Sequence, residues 1–465
     1  MSKFVDNFNN QHYIAYELAR GGQGIVYKTR DPDTVIKMAL ENEHEIRDKE
    51  KIDEYHLRIK SLIYKPIPSD INIAKPLTLI NGKAGYVMNL LEGMAPLSSI
   101  FPGELKKDQI ESIEIPKFLQ GLSDKRTASY ITYYLKTGGL RKRLYLLSRL
   151  AKELYRLHSR GLVYQDLSHN NVFINDELIP QVYLIDADNL EYESFNRQSV
   201  FTPRFEVPEV AKGDNNTVFS DIYAFGILAF MTLTTTHPFD GEAANNDDWG
   251  NDGQSKEVGK LPWIEDSRDI SNRSNAGLRG QLSISAQLDY LFHKLFEEGR
   301  LDKFERPTLP IWIEVLEKAA SSTVQCQSCQ MTYYEEQFEK CPYCDAKKPP
   351  RVIVDSFVYK NGSRLRKRWR FVKEIAPQTM LIELPSYLFK PLDIVNINDW
   401  FVRMKLTNNT RIEFDIDVKN ETVCFNSDKP IHVFKKKIGR AGVENGIYIT
   451  VEEDITILTE IRLIQ

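Results

Sequence analysis

The chain of 465 residues contains few cysteines and no long apolar segment. Four of its five cysteines lie between residues 326 and 344, so a framework of disulfide bonds is not expected. No apolar stretch reaches the roughly 20 residues that a membrane-spanning helix needs. The first residues are polar and do not resemble a signal peptide. These absences predict a cytoplasmic protein that does not act at a membrane.

Neither sign of charge dominates, since the formal net charge is -4 at pH 7. A protein that bound nucleic acid over its whole surface would carry a marked basic excess. The composition, 42% hydrophobic and 27% charged, is typical of folded globular proteins, and the length allows two or three domains. The charge balance therefore leaves the function to be read from motifs.

The most informative segment is 164–171, in which Asp166 stands five residues before Asn171. A short apolar run follows it, and Asp186 and Asp188 come directly after the next apolar run. Phosphoryl transfer from ATP uses such a set, because one carboxylate orients the attacking hydroxyl while an asparagine and a second carboxylate hold Mg²⁺. An Asp and an Asn at this spacing are common by chance, so the flanking motifs decide what the pair means.

A glycine-rich segment lies upstream and includes Gly21, Gly22 and Gly24, followed by Val26. Glycines let the backbone close over phosphate groups with its N–H groups facing the anion. Ala19 stands where the first glycine of such a phosphate-binding loop is usual. Taken alone, such a segment is more typical of an ordinary hairpin turn. The lysine that follows favours phosphate binding.

Lys37 lies between apolar residues, at the distance expected for a third strand after the glycines. In other surroundings it would be a solvated strand residue, but here it is predicted to contact the α- and β-phosphates of ATP. The charged segment 42–63 lacks Pro and Gly and is predicted to be a helix. On this helix, Glu54 is the predicted partner of Lys37, and Glu50, one turn earlier on the same face, is the alternative.

Further landmarks follow downstream. The segment 207–209 reads Val-Pro-Glu, and the segment from 221 to 226 opens a strongly apolar helix that is too short to span a bilayer. Arg306 is predicted to form a structural ion pair with Glu209. In their order and spacing, these landmarks resemble a protein-kinase domain that covers residues 11 to about 318.

The resemblance implies an α+β, bilobal protein-kinase-like fold and a serine/threonine protein kinase that uses ATP with Mg²⁺ or Mn²⁺. Asp166 would orient the substrate hydroxyl and accept its proton, with Lys37 and Glu54 also catalytic. Met88 would be the gatekeeper of the hinge, and Leu90 would offer backbone contacts to adenine. The residues implied in binding the nucleotide and its metal ion are Gly21, Gly22, Gly24, Val26, Lys37, Met88, Leu90, Asn171 and Asp186.

Gln165 departs from the family, in which an arginine precedes the catalytic aspartate. That arginine clamps a phosphorylated activation loop through charge-assisted hydrogen bonds, which a glutamine cannot make. We therefore predict that activity does not need phosphorylation of the activation loop, although Ser194, Ser199 and Thr202 are available there.

Two further departures bear on activity. Ser168 replaces a lysine that helps to neutralise the transferring phosphate, although atypical kinases of the RIO type also carry Asp-Leu-Ser here. Asp188 replaces the usual glycine of the metal-binding loop, where it could bias the loop conformation or contact a second Mg²⁺. The residues whose loss usually marks a pseudokinase are all present: Lys37, Asp166, Asn171 and Asp186.

The four clustered cysteines form two Cys-x-x-Cys pairs, Cys326 with Cys329 and Cys341 with Cys344. Two such pairs a short loop apart predict a tetrahedral Zn²⁺ bound by four thiolates, in preference to a redox pair. Because protein would fill every ligand position, the zinc would be structural. The resulting zinc ribbon could bind protein or nucleic acid, or could brace its neighbours.

The final segment changes to short β-rich runs separated by turn signals, which predict an all-β sandwich or barrel. The predicted division is a kinase domain at 1–320, a zinc ribbon at 321–350 and an all-β domain at 351–465. Basic clusters at 364–370 and 435–437 could contact phosphate groups, nucleic acid or an acidic partner, or could be a solvated strand face.

The glycine loop, the Asp-Leu-Ser sequence and the trailing ribbon are together similar to bacterial kinases of tellurite-resistance-associated stress systems. This resemblance implies a protein substrate, such as a von Willebrand A-type protein, and a cognate metal-dependent protein phosphatase. Two other function classes stay open: a pseudokinase scaffold that binds nucleotide and partner proteins, and a nucleic-acid-directed protein that acts through the ribbon and the basic β-domain. A small-molecule substrate is also open.

Overall fold

The structure is a computed structural model. It describes residues 3–21, 24–122, 124–195, 200–246, 261–278, 280–360, 363–375, 381–385, 388, 401–407, 411–415, 432–435, 445–452 and 455–464. Of the residues singled out above, Gly22 and Ser199 lie outside the described part, as do Lys436 and Lys437.

The N-terminal part is a seven-stranded antiparallel sheet with one helix. Its strands are β1 Lys3–Val5, β2 Gln11–Gly21, β3 Gly24–Thr29, β4 Thr34–Glu41, β5 His44–Glu45, β6 Thr78–Leu79 and β7 Gly85–Asn89. The order is β1-β2-β3-β4-β7-β6, and β5 pairs with β4. Helix α1 (Lys49–Tyr64) begins where Asp48 caps the N–H of Lys51 at 3.1 Å. Its apolar face packs on this sheet through Ile52, Tyr55 and Ile59.

A larger, mainly helical part follows. Its helices are α2 Lys107–Glu111, α3 Lys125–Lys136, α4 Gly139–His158, α5 Pro208–Ala211, α6 Val218–Thr234, α7 Glu242–Asn246, α8 Ala286–His293, α9 Gly299–Leu301 and α10 Leu309–Ser321. The apolar helix predicted from 221 is α6, which is apolar all round because it is buried among the others. No helix in the described part of the chain is long and apolar enough to cross a membrane.

Short strands at the edge of the helical part position its loops. They are β8 Ala95–Pro96, β9 Leu162–Val163, β10 Val172–Ile174, β11 Val182–Leu184 and β12 Glu191–Tyr192. Strand β10 pairs with β11 and β8, and β12 pairs with β9. The segment 164–171 therefore joins β9 to β10, and Asp186 lies just after β11. Both loops meet at one edge because β10 and β11 are antiparallel neighbours.

The remaining strands lie in the C-terminal part. They are β13 Thr323–Gln325, β14 Thr332–Tyr334, β15 Arg351–Lys360, β16 Ser363–Glu374, β17 Leu381–Pro385, β18 Phe401–Thr407, β19 Arg411–Asp415, β20 His432–Lys435, β21 Asn445–Glu452 and β22 Ile455–Ile464. Strands β13 and β14 form a hairpin. The others form a five-stranded sheet, β16-β15-β22-β21-β20, and a three-stranded sheet, β17-β18-β19. Their closure into a sandwich or barrel stays a prediction.

The C-terminal strands are fastened to the helical part. Arg141 of α4 donates to the carboxylate of Glu374 in β16 at 2.6 Å and to the carbonyl oxygen of Thr323 in β13 at 2.6 Å. One hydrophobic core contains residues of α4, of the hairpin (Val324, Tyr333) and of the sheet (Val372). The helical part, the hairpin and the sheet thus share a core, while the three predicted domain ranges stay a prediction.

The predicted ion pair between Glu209 and Arg306 is confirmed. Two parallel hydrogen bonds of 2.7 Å join the guanidinium to the carboxylate. Arg306 also donates to the carbonyl oxygen of Phe219 at 2.9 Å and lies over the ring of Tyr223. The side chain of Arg306 is only 1% exposed, so loss of its partner would leave a buried charge unpaired.

We predict that Glu209→Gln lowers the free energy of unfolding by ~3–5 kcal/mol, the usual cost of breaking a buried ion pair from one side. Urea denaturation followed by circular dichroism measures the change. The control is Glu305→Gln, which breaks an exposed pair with Lys294 and should cost less than about 1 kcal/mol. Equal losses in the two variants would contradict the buried-pair argument.

Candidate functional site

Lys37 and the acidic pair predicted from the sequence meet in one place. Lys37 is on β4 of the N-terminal sheet, and Asp186 and Asp188 follow β11 of the helical part. The ammonium of Lys37 contacts the carboxylate of Asp186, and it lies 3.1 Å from Oδ2 of Asp188. The pair of Lys37 and Asp186 is 149 residues apart in the chain. The fold therefore brings together the groups that the two motifs supply.

Two carboxylates keep the Lys37 ammonium charged. Burial alone would lower the pKa of Lys37, because an apolar surrounding disfavours a charge. Asp188 and Asp186 outweigh this effect, and the pKa of Lys37 is raised. A permanently charged ammonium in this position can bind phosphate oxygens as a point charge.

Asp166 and Asn171 also lie side by side. The side-chain amide of Asn171 donates to the backbone oxygen of Asp166 at 2.8 Å and to its Oδ2 at 3.1 Å. Burial raises the pKa of Asp166, and the neighbouring carboxylate of Asp186 adds to the rise. Hydrogen bonds from Thr202 and Asn171 oppose it. A carboxylate with a raised pKa is a better proton acceptor for a hydroxyl group than an ordinary aspartate.

The segment that carries Asp166 is anchored to helix α6. The buried carboxylate of Asp221 accepts the backbone N–H groups of Tyr164 and Gln165 at 2.7 and 2.8 Å. His158 lies 2.9 Å from the same carboxylate. Gln165 has a positive φ of 76°, a backbone conformation that residues other than glycine rarely adopt. The two N–H bonds to Asp221 hold the backbone in this turn.

Thr202 is a site residue whose role the sequence analysis missed. Its hydroxyl donates to Oδ1 of Asp166 at 2.5 Å, although the sequence suggested only a possible phosphorylation site. A variant that removes this hydroxyl would therefore change the surroundings of Asp166 directly. It cannot serve as a test of whether phosphorylation of the activation loop is needed. Of the other two hydroxyls, Ser194 is exposed and Ser199 lies outside the described residues.

The side chain of Gln165 bonds to an uncharged group. Its amide donates to the backbone oxygen of Asn189, the residue after Asp188, at 2.6 Å. The hydroxyl of Ser168 is buried and makes no hydrogen bond within the described part of the chain. A lysine is usual at this position in kinases, and the neutral hydroxyl of Ser168 does not supply its positive charge.

The predicted partner of Lys37 on helix α1 does not contact it. Glu54 and Glu50 both lie on the exposed side of α1, whereas the buried side presents Tyr55. The carboxylate that accompanies Asp186 at Lys37 is Asp188. The sequence correctly placed a helix here, but its apolar face turns these two acids to solvent. Participation of Glu54 in catalysis stays a prediction.

The predicted nucleotide-binding strands surround Lys37. Gly21 pairs with Gly24 at the end of the β2–β3 hairpin, and Val26 lies directly opposite Lys37 on the neighbouring strand. A Cβ atom on Gly24 would lie 2.8 Å from the backbone oxygen of Met38, so a side chain at this position would require the two strands to shift.

The hinge residues adjoin the same sheet. Met88 is half-buried on β7, opposite Val35 of β4. The N–H of Leu90 donates to the backbone oxygen of Asp33 at 2.8 Å. The adenine contact predicted for Leu90 would therefore have to use its carbonyl oxygen.

The four clustered cysteines converge at the β13–β14 hairpin. Their sulfur atoms all lie within 4.8 Å of one another, and Cys326 to Cys344 and Cys329 to Cys341 are each 3.6 Å apart. These separations exceed a disulfide bond. Four bonds of roughly 2.3 Å to a tetrahedral zinc would place the sulfurs roughly 3.8 Å apart, so the donor set fits this metal.

The cysteine cluster also belongs to the shared core. Cys326, Cys329 and Cys341 are buried among apolar residues of the helical part. Met331 and Tyr333, between the two Cys pairs, are fully buried in the same core. A metal at this site would therefore brace the helical part as well as the hairpin.

We predict that Cys329→Ser abolishes stoichiometric zinc binding and lowers the melting temperature of the protein by roughly 10 °C. A loss of about 3–4 kcal/mol has this effect when each kcal/mol shifts the midpoint by roughly 2–4 °C. Zinc content by elemental analysis and thermal unfolding are the measurements. Cys424→Ser, which removes the cysteine that belongs to neither Cys-x-x-Cys pair, is the control for zinc content, which should stay unchanged. Full zinc content in Cys329→Ser would contradict the assignment.

Two basic residues of the cluster at 364–370 are engaged within the protein. Arg370 makes two hydrogen bonds of 2.8 and 2.7 Å with Asp355 and contacts Glu335 at 3.1 Å. Lys367 donates to Glu336 at 2.6 Å. The acidic partners come from β15 and from the residues that follow β14, which the sequence did not reveal. These ion pairs weaken the case for a nucleic-acid surface there.

Comparison with known proteins gives the context of this site. Residues 138–318 match the family described as Protein kinase domain. "Serine/threonine/tyrosine-protein kinase HT1" of Arabidopsis thaliana is 32% identical over 142 residues, which are 27% of this chain and 36% of that protein. "Serine/threonine-protein kinase pkn2" of Myxococcus xanthus is 34% identical over 110 residues, 22% of this chain and 13% of that protein.

A second bacterial relative gives a similar result. "Probable serine/threonine-protein kinase PknB" of Lactococcus lactis is 32% identical over 102 residues, 21% of this chain and 16% of that protein. The chain thus spans between 13% and 36% of the length of these three relatives. Residues 138–318 are thus similar to protein kinase domains, and the described part of the chain combines helices and sheets. These similarities support the predicted enzyme class, a protein serine/threonine kinase.

Proposed function

We propose that this protein is an ATP- and metal-dependent serine/threonine protein kinase that transfers the γ-phosphate to a hydroxyl group of another protein. The observation that carries the proposal is the meeting of two pairs, one of which includes a residue from a distant part of the chain. Lys37 of the N-terminal sheet contacts Asp186, and Asn171 contacts Asp166, which is near enough to Asp186 and Lys37 for their charges to affect its pKa. This is the set that phosphoryl transfer requires.

The nucleotide would be held by the N-terminal sheet. The ammonium of Lys37 would bind oxygens of the α- and β-phosphates, and the β2–β3 hairpin with Gly24 would cover the phosphates. Asp186 and Asn171 offer the oxygen ligands that Mg²⁺ and Mn²⁺ prefer. The metal ion, when bound, neutralises charge that develops on the phosphate oxygens.

Asp166 would orient the substrate hydroxyl in line with the γ-phosphorus. The hydroxyl oxygen forms a bond to phosphorus as the bond to the ADP oxygen breaks, and the proton of the hydroxyl passes to the Asp166 carboxylate. Asn171 fixes one oxygen of this carboxylate, and Thr202 occupies the other in the structure. A substrate serine or threonine would present the same chemical group to Asp166 that Thr202 presents.

We predict that Asp166→Ala lowers phosphate incorporation by roughly 10²–10⁴-fold, the usual contribution of a positioned base. Wild type and variant are incubated with labelled ATP and Mg²⁺, and both autophosphorylation and transfer to a generic basic protein are measured. Nucleotide binding, measured separately, should persist because Lys37 and Asp186 remain. Absence of incorporation by wild type that still binds nucleotide would favour the pseudokinase scaffold.

The pH dependence of the reaction provides a second test. Burial raises the pKa of Asp166, and the hydrogen bond from Thr202 opposes that rise. Asp166 accepts a proton only when ionised, so activity is lost as the pH falls through its pKa. We predict that Thr202→Val moves the acidic limb of the kcat/KM profile to higher pH. Thr202→Ser keeps the hydroxyl and should keep the limb in place. An identical limb in wild type and Thr202→Val would contradict this assignment.

The identity of the partners is also a proposal. The resemblance of the sequence to kinases of tellurite-resistance-associated systems supports a von Willebrand A-type protein as substrate and a metal-dependent protein phosphatase as its antagonist. We place this cycle in the bacterial cytoplasm, in stress signalling, with structural Zn²⁺ in the ribbon. Phosphate incorporation into a purified von Willebrand A-type protein, and its removal by the phosphatase, test this part separately from catalysis.

A further inference from the structure

We infer that Asp188 is the residue that positions Lys37, in place of a carboxylate on helix α1. The inference rests on the proposed function, since it concerns how that site is assembled. It assigns a structural reason to the acidic residue that stands where a kinase metal loop usually has glycine.

The first support is the geometry of the ion pair. Oδ2 of Asp188 lies 3.1 Å from the ammonium of Lys37, and each side chain is only 10% exposed. The side chain of Asp186 is more open, at 23%. Asp186 is therefore the more accessible of the two to a metal ion and phosphates, while Asp188 lies against the sheet.

The second support is that the sheet itself orients Asp188. Its other oxygen, Oδ1, accepts a hydrogen bond from the hydroxyl of Tyr86 at 2.8 Å. Tyr86 is 1% exposed and lies directly opposite Lys37 on the neighbouring strand β7. One carboxylate thus bridges two adjacent residues of the sheet, and this bridge fixes where the ammonium of Lys37 can lie.

The third support comes from helix α1. It packs against the turn 187–189, so it is close enough to supply a partner for Lys37. The residue on its buried face at this level is Tyr55, which is 6% exposed, while Glu54 points to solvent. Rotating Glu54 inward would turn Tyr55 and Ile52 outward from the core. The loss of that burial opposes the rotation.

This arrangement changes what controls the lysine. Where the partner lies on a helix, displacement of the helix releases the lysine. Here the partner follows Asp186 by two residues, so the position of Lys37 depends on the conformation of the metal-binding loop. The carboxylates of α1, Glu50 and Glu54, become dispensable for holding it.

The test compares Asp188→Asn with Glu54→Gln, each of which removes one charge without changing the shape of the side chain. Steady-state kinetics with ATP give kcat and KM. We expect kcat/KM to fall on the order of 10- to 100-fold in Asp188→Asn, the fold-change that corresponds to loss of a charge-assisted hydrogen bond. Glu54→Gln should stay within about twofold of wild type.

A second measurement does not depend on activity. The rate at which a small activated ester acylates Lys37 reports how firmly its amine is held. The reaction is carried out on the full-length protein, and the label at Lys37 is quantified by mass spectrometry of the peptide that contains it. We expect faster acylation of Lys37 in Asp188→Asn, an intermediate rate in Tyr86→Phe and the wild-type rate in Glu54→Gln. Thermal unfolding of each variant identifies any that fails to fold, and Tyr86→Phe keeps the charge of Asp188 if Asp188→Asn is unstable.

Each outcome decides one question. Faster acylation and slower kinetics in Glu54→Gln, with Asp188→Asn like wild type, would overturn the inference. Unchanged acylation in Asp188→Asn with a raised Mg²⁺ requirement would also overturn it, because Asp188 would then act on a second metal ion. If wild type transfers no phosphate, the proposed function fails, yet the acylation rates still show which carboxylate holds Lys37.

Discussion

The buried carboxylate of Asp221 is the constraint on which the rest of the site depends. Both of its oxygens are used by backbone N–H groups of the segment that carries Asp166, and His158 adds a third contact. Asp221 belongs to α6, the helix at the centre of the core. Because a buried carboxylate that lost these donors would be strongly unfavourable, the loop and the helix are fixed to each other. The packing of α6 in the core thereby fixes the position of Asp166, the candidate proton acceptor.

A second constraint joins the sheet to the helical part. Lys37 is held by a strand, and the carboxylates that surround it come from the loop after β11. The attraction operates in a partly buried site, where charges interact more strongly than in water. Of the two carboxylates, Asp186 is the more exposed and would face the groups that a nucleotide brings. The site is therefore arranged so that binding replaces one set of charge interactions by another.

The sequence predicted contacts that lie within one motif or between two recognisable motifs. The pairing of Asp166 with Asn171 follows from one turn of backbone, and the pairing of Glu209 with Arg306 follows from two recognisable motifs. The contact between Thr202 and Asp166 was missed because no spacing rule links them. The helix that carries Glu54 was predicted from its charge and its lack of Pro and Gly. The burial of Ile52, Tyr55 and Ile59 decides which side of the helix faces the sheet. This is a tertiary effect, so the number of residues between Lys37 and Glu54 could not predict it.

The four-cysteine cluster is a second case in which the sequence predicts a site while the fold decides what surrounds it. The spacing of the cysteines predicts a metal site. It is equally compatible with a module that binds partners and with one that braces its neighbours. The structure places its sulfurs in the core that also contains α4, and Arg141 of α4 joins β13 to Glu374 of β16. A module that recruits partners would expose apolar residues for the partner to contact, whereas Met331 and Tyr333 are buried in the core of this protein. The bracing role therefore accounts for the burial of Met331 and Tyr333, and a metal bound there would stabilise the helical part that carries Asp166.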